Sequence, residues 1–162
     1  MPLKIIIYPN PILKQKAEKV EKITPEIQEL VLAMKQTLAT GEEGRTKGVG
    51  LAANQIGVLK RIIVILTKEG IKAFVNPKIL KLSRQKTIDK EGCLSLPEVW
   101  LEIKRPLSAE IEAVDENGQP IHIAVQGFPA RIFQHEIDHL DGILVFERLG
   151  FFERLKTKVE IN

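Results

Sequence analysis

Toward the C-terminal end of the sequence stands His135-Glu136-Ile137-Asp138-His139. Residues four apart share one face of an α-helix, so both imidazoles can turn a ring nitrogen to one metal ion, with the Glu136 carboxylate near the ion's open side. The plain alternative is a helix face of solvated charges. Two histidines do not complete a hydrolytic centre, because catalytic zinc-type sites use three protein ligands and a water. In the metzincin pattern Gly142 stands where the glycine is needed, but Val145 occupies the place of the third histidine, so that pattern fails. A glutamate farther downstream would have to be Glu147, Glu153 or Glu160, on a tail too short for a second ligand-bearing helix. The remaining soft ligand is Cys93, within Glu91-Gly92-Cys93-Leu94-Ser95-Leu96-Pro97. A thiolate with two imidazoles is a competent set for Zn²⁺ and, with lower intrinsic affinity, for Fe²⁺.

Cys93 admits other readings. Most lone cysteines are small buried hydrophobes. A cysteine can also be a nucleophile with a histidine as its base. That reading employs one histidine and leaves the second, and Glu136, without roles, whereas the metal reading uses all four. Amide hydrolysis further needs donors aimed at the oxygen that becomes negative. Gln55 is a candidate, closing the small-residue segment Gly48-Val49-Gly50-Leu51-Ala52-Ala53-Asn54-Gln55, where glycines allow close backbone approach. Against it stands a simple turn with Gln55 on the surface. No Gly-Lys-Ser/Thr follows these glycines, which excludes a phosphate-binding loop.

The elements that must position these groups follow from periodicity. Thr24-Pro25 is a helix start, after which Ile27, Leu30, Val31, Met34 and Leu38 recur at helical spacing. Arg61 to Leu66 is a β-branched run suited to a buried strand, and Ala73 to Val75, interrupted by Asn76-Pro77, is a second short one. Alternation on either side of Glu116-Asn117-Gly118-Gln119 predicts a β-hairpin. Pro129 opens a helix marked by Ile132, Phe133, Ile137 and Leu140 and stopped by Gly142. A short helical piece is expected between Phe151 and Lys158. Hairpin spacing is too short for parallel crossovers, which points to α+β with a mostly antiparallel sheet.

Composition bounds the rest. With 162 residues, 44% hydrophobic and 28% charged, the chain can bury an ordinary core without a disulfide or structural metal, so a metal here would serve chemistry. The net charge of +3 is scattered, which does not propose a nucleic-acid partner. One cysteine fits a reducing compartment, and neither a secretory segment nor a membrane-length apolar run is visible, so a cytoplasmic location, or an organelle lumen, is expected.

The segments Gly48 to Gln55, Glu91 to Ser95 and Gln134 to His139 closely resemble, in order and separation, the three signature motifs of peptide deformylase. Similarity extends from Tyr8-Pro9-Asn10-Pro11, through the Arg61 to Ile65 strand, to about Phe146. The resemblance implies a single α+β domain over residues 1–162, with mostly antiparallel β-sheets packed around a central helix carrying the His-Glu-x-x-His motif. It implies a metallohydrolase that removes the formyl group from the N-terminal formylmethionine of nascent polypeptides. Carried over by motif, Cys93, His135 and His139 hold one divalent metal with a water, and Glu136 is general base and then acid. Gln55 and the Leu94 backbone N–H stabilise the oxyanion. The metal expected is Fe²⁺, with Zn²⁺, Ni²⁺ or Co²⁺ as substitutes.

On the same resemblance, the substrate lies as an added strand beside Gly50, and its methionine enters a pocket lined by Val49, Phe128 and Ile132. Plain core packing is the alternative for each lining residue. Glu91 and Asp138 are candidates to orient the ligands, with Arg105 as ion-pair partner. The stretch Gly41 to Lys47 looks longer than the common form, and the short tail after Gly150 implies at most a weak, transient ribosome contact. Trp100 is expected as a packed side chain, with an edge of the substrate groove as the alternative. Two rivals remain at this stage: a cysteine-nucleophile amidohydrolase and a non-catalytic metal-binding module.

Overall fold

A computed structural model describes residues 3–41, 48–151 and 153–156. The first helix, α1 (Pro25–Thr40), starts where Thr24 Oγ1 accepts the Ile27 N–H at 3.3 Å and Pro25 fills a first-turn position that needs no N–H. Its buried Val31, Met34 and Leu38 face a five-stranded antiparallel sheet. That sheet is built from β1 (Gly50–Ala52), β2 (Ile62–Thr67), β3 (Gly70–Leu82), β6 (Ser108–Val114) and β7 (Pro120–Gln126), in the order β1-β2-β3-β6-β7. A separate two-stranded sheet pairs β4 (Lys86–Cys93) with β5 (Leu96–Pro106). Helices combined with antiparallel sheets make this the expected α+β fold.

The β-branched run has a simple cause. Successive strand side chains point to opposite faces, so Ile62 and Val64 join the α1 cluster while Ile63 and Ile65 join the cluster of α2 (Phe128–Leu140). A strand covered on both faces cannot alternate with polar residues. Strand β3 corrects the short strand expected over Ala73 to Val75, because it runs straight through Asn76-Pro77. The Asn76 backbone sits at φ 53, and its side-chain amide accepts from the Val20 N–H and donates to the Val20 carbonyl, each at 2.8 Å. The register slips between Val75 and Lys78, so the bulge absorbs the proline without ending the strand.

Helix α2 is buried along its length from Ala130 to Leu140, although six of those residues are polar or charged. Its apolar side, Ala130, Phe133, Ile137 and Leu140, packs on the five-stranded sheet, with Phe133 edge-on to Phe74 at a centroid distance of 4.8 Å. The polar side faces β4 and β5. Among the described residues no β ladder ties that two-stranded sheet to the larger one. It docks instead through Leu96 and Ile103, which share an apolar cluster with Leu13, Leu144, Val145 and Phe146. Gly142, at φ 73, closes α2 against the chain's N-terminal part, where a Cβ would stand 2.5 Å from the Lys14 carbonyl oxygen.

The hairpin of β6 and β7 turns at the expected residues, with Gly118 at φ 81. The expected late helix is present at Phe151 and at residues 153–156; residues 152 and 157–162, like 42–47 of the expected longer loop, lie outside the described residues. Among the described residues no helix is long and apolar enough to cross a membrane.

Candidate active site

Three elements converge on one cluster. Cys93 ends β4, and His135 and His139 stand one turn apart on the polar side of α2. One ligand atom from each lies within 4.8 Å of the others. Cys93 Sγ is 3.3 Å from His139 Nε2. His135 has its Nδ1 against Glu91 Oε1 at 2.9 Å, which leaves Nε2 for the cluster. Burial pushes the Cys93 thiol up, but the positive field of His139 and hydrogen bonds from both imidazoles outweigh it and hold the thiol well below its ordinary value. Burial likewise works against a charged His135, and its bonds to Cys93 and Glu91 raise it well above the usual imidazole range. The cluster therefore brings a thiol sulfur and two imidazole nitrogens, one from each residue, to one place. A borderline-soft divalent cation such as Zn²⁺ or Fe²⁺ suits that donor set.

Glu136 lies beside the cluster, 4% exposed, with Oε1 at 3.9 Å from His135 Nε2 and no hydrogen-bond partner for Oε2 among the described residues. Burial pushes its carboxyl above the usual carboxylate range. Strand β1 supplies the opposite wall. A Cβ on Gly50 would come within 2.9 Å of Glu136 Cγ and Oε1, so only glycine lets the carboxylate lie against this strand. Gln55, in the single 3₁₀ turn after β1, is buried rather than on the surface. Its Oε1 accepts the Ala52 N–H at 2.9 Å, which turns its NH₂ toward Ser95 Oγ at 3.1 Å and Cys93 Sγ at 3.7 Å. The amide therefore presents a donor to the cluster. Leu94 occupies the turn between β4 and β5, its side chain against Gly48.

A cavity of about 380 Å³ opens onto these groups and is lined by Val49, Gly50, Leu94, Phe128, Ile132 and Glu136 among others. The four residues expected to bind substrate thus meet in one place. Ile132 is buried, while Phe128 is 54% exposed at the rim, so core packing does not account for it. Trp100 corrects its expectation. It is 65% exposed, lines the same cavity, and its indole covers Gly92, where a Cβ would be 2.8 Å from the ring.

Arg105 pairs as expected with both acids, donating to Glu91 from Nε at 2.6 Å and Nη2 at 3.0 Å, and to Asp138 from Nη1 at 3.0 Å. Burial raises the Glu91 carboxyl, but bonds from His135 and Arg105 prevail and lower it to about 2. Two arginines of this network escape the sequence reading. Arg131 donates to Glu91 Oε2 at 2.6 Å, and Arg148 donates from Nε to Asp138 Oδ2 at 2.9 Å. The available signal for Arg131 is its spacing, one turn before His135 on the same helix face.

Comparison with known proteins agrees with this geometry. The family model described as polypeptide deformylase matches residues 2–155. The peptide deformylase of Desulforudis audaxviator is 44% identical over 145 residues, covering 89% of this chain and 91% of that protein. The peptide deformylase of Aquifex aeolicus is 42% identical over 156 residues, covering 93% of this chain and 89% of its own. The crystal structure of peptide deformylase from Ehrlichia chaffeensis matches with a TM-score of 0.89 at 35% identity, covering 99% of this chain and 95% of that one. With a family model over most of its length, relatives this similar, and a Cys-His-His cluster beside a buried glutamate, the chain belongs to the peptide deformylase family of hydrolases.

Proposed function

We propose that the chain hydrolyses the formyl amide at the N-terminal formylmethionine of nascent polypeptides, with Cys93, His135 and His139 as ligands of one divalent metal, Fe²⁺ in the native enzyme. The observation that carries this reading is the buried Glu136 carboxyl, with one oxygen unpartnered, lying beside three convergent ligand atoms at the cavity. A bound ion of this kind supplies Lewis-acid polarisation of the formyl oxygen and lowers the pKa of a water. The protein's own groups do the remainder. Glu136 accepts the attacking water's proton and passes a proton to the leaving amine nitrogen; its burial moves its carboxyl toward the pH range where one group can do both. The Gln55 NH₂ and the Leu94 N–H stabilise the oxygen that gains charge, and losing one such donor lowers the rate by ~10²–10³.

The peptide backbone adds to β1 beside Gly50. That β1 is an edge strand of the five-stranded sheet supports the docking mode, because an edge offers unpaired backbone groups along its outer side. Main-chain pairing makes recognition largely independent of sequence beyond the first residue. The methionine side chain enters the cavity among Val49, Phe128 and Ile132. Action at a nascent chain's end fits a location in the cytoplasm or an organelle and a transient ribosome contact.

The close approach of Cys93 Sγ to His139 Nε2 also suits a thiolate nucleophile, and chelation separates the two readings. Protein purified anaerobically should deformylate a formyl-Met peptide, lose that activity on chelation, and regain it with Fe²⁺ or Ni²⁺. Activity that survives complete metal removal would favour the cysteine nucleophile, and metal-loaded protein without activity would overturn the substrate reading.

A further inference from the structure

The two-stranded sheet that carries Cys93 shares no hydrogen-bond ladder with the sheet under α2, yet its thiol must stay in register with two imidazoles on α2. Gln134, His135 and Asp138 of α2 each bond the small sheet, to the Pro106 carbonyl, Glu91 and Arg105, but the side chain that holds the backbone of both its strands is Arg131. Arg131 lies on α2, one turn before His135, is 4% exposed, and reaches both strands of the small sheet. From Nη1 it donates to Glu91 Oε2 at 2.6 Å and to the Ile103 carbonyl at 2.8 Å; from Nη2 it donates to the Thr87 carbonyl at 3.0 Å and to Thr87 Oγ1 at 3.2 Å. Two of these acceptors are backbone carbonyls on neighbouring strands, so the guanidinium fixes the position of the hairpin itself as well as that of a side chain. Of its other two acceptors, Thr87 Oγ1 and Glu91, the carboxylate also holds His135 Nδ1. We propose that Arg131 is a positioning residue, docking the β4-β5 hairpin on α2 and thereby setting Cys93 against His135 and His139. The assignment rests on the metal reading above for its effect on ligation, while the docking itself does not.

Glu91 keeps both Arg105 bonds when Arg131 is removed, so the carboxylate is not left buried and unpaired. Arg131→Met, and Arg131→Lys as the milder variant, should therefore fold. A lysine cannot span two carbonyls and a carboxylate with one planar fork, so it should rescue little. In metal-free protein, amide hydrogen exchange over 88–93 should quicken at least tenfold in Arg131→Met relative to wild type, with α1 amides unchanged. Co²⁺ affinity should fall ~10–100-fold, the range seen when a group orienting a ligand is lost, and the visible bands of the Co²⁺-loaded protein should shift as the thiolate moves. Unchanged exchange over 88–93 in both variants would overturn the docking role. Faster exchange with wild-type Co²⁺ affinity and spectrum would overturn the positioning of Cys93. Wild-type protein that takes up no Co²⁺ would instead overturn the metal reading, with the exchange comparison still deciding the docking.

Discussion

The polar side of α2 serves two regions that differ in one respect. Toward Glu91 and Asp138, every buried charge is paired: the buried Arg105 and Arg131, with the half-exposed Arg148 at the edge, share two carboxylates in one network. Toward Gly50 and Cys93, a few residues away on the same helix, Glu136 Oε2 and His139 Nδ1 have no partner among the described residues. Unpartnered buried polar atoms are expensive and persist where the fold holds them for another purpose. The paired region thus holds geometry, and the unpaired region is left free to react.

Breaking the unpaired side should change rate and spare stability. Glu136→Gln keeps the volume and removes the proton acceptor, so kcat should fall ~10²–10⁴-fold while metal content and Tm stay near wild type. A variant that retains most of its rate would remove Glu136 from the chemistry. Breaking the paired side should do the reverse. Arg105→Met takes one partner from each of two buried carboxylates, which keep Arg131 and Arg148, so unfolding free energy should drop by about 1–3 kcal/mol in denaturant titration. A drop below about 1 kcal/mol would mean that Arg131 and Arg148 suffice.

Gly50→Ala tests the contact between the two walls of the site. The added Cβ would meet Glu136 at 2.9 Å, and the carboxylate must move because the strand behind the glycine is paired to β2. Misplacing a reacting group by about 1 Å lowers rates ~10²-fold, so kcat should fall by ~10–10² with little change in Tm. An alanine variant at full rate would show that the approach of β1 to Glu136 is not needed for turnover.

This division also marks what could be read from residues alone. The spacing of His135 and His139 is local and survives in sequence, as do the Thr24-Pro25 helix start and the hairpin at Gly118. Cys93 joins them only through tertiary contact; elimination of other ligands left it as one of several readings, and the resemblance to a family singled it out. Arg131 carries no such mark, because a charged residue on a helix ordinarily faces water and only the docking of β4 and β5 buries this face; Arg148, half-exposed in the turn at 145–148, meets Asp138 only through tertiary contact. Strand β3 hid behind Asn76-Pro77 since the bonds that sustain its bulge come from Val20, far away in sequence. Trp100 misled for the opposite reason: a lone tryptophan is usually packed, and here it rests on Gly92 at a cavity rim.

The smallest effect lies outside both regions and calibrates them. Glu147 receives Lys14 and the Leu144 N–H, with Arg154 Nη2 at 3.6 Å, in a pair whose lysine is half-exposed. Burial raises the Glu147 carboxyl, but the bonds from Lys14 and Leu144 with the charges of Lys14 and Arg154 together prevail, so it titrates below its ordinary value in the folded chain. A carboxyl lowered by folding contributes stability that is complete above its unfolded pKa and is lost as pH falls through the folded one. Glu147→Gln keeps an acceptor for Leu144 and removes the charge, so wild type should exceed it by about 0.5 kcal/mol at neutral pH. That gap should close through the acid carboxylate range and shrink in high salt. Denaturant titrations at several pH values would check it. A gap as large as that of Arg105→Met, or one that widens in acid, would contradict the view that only the enclosed network carries substantial electrostatic stability in this chain.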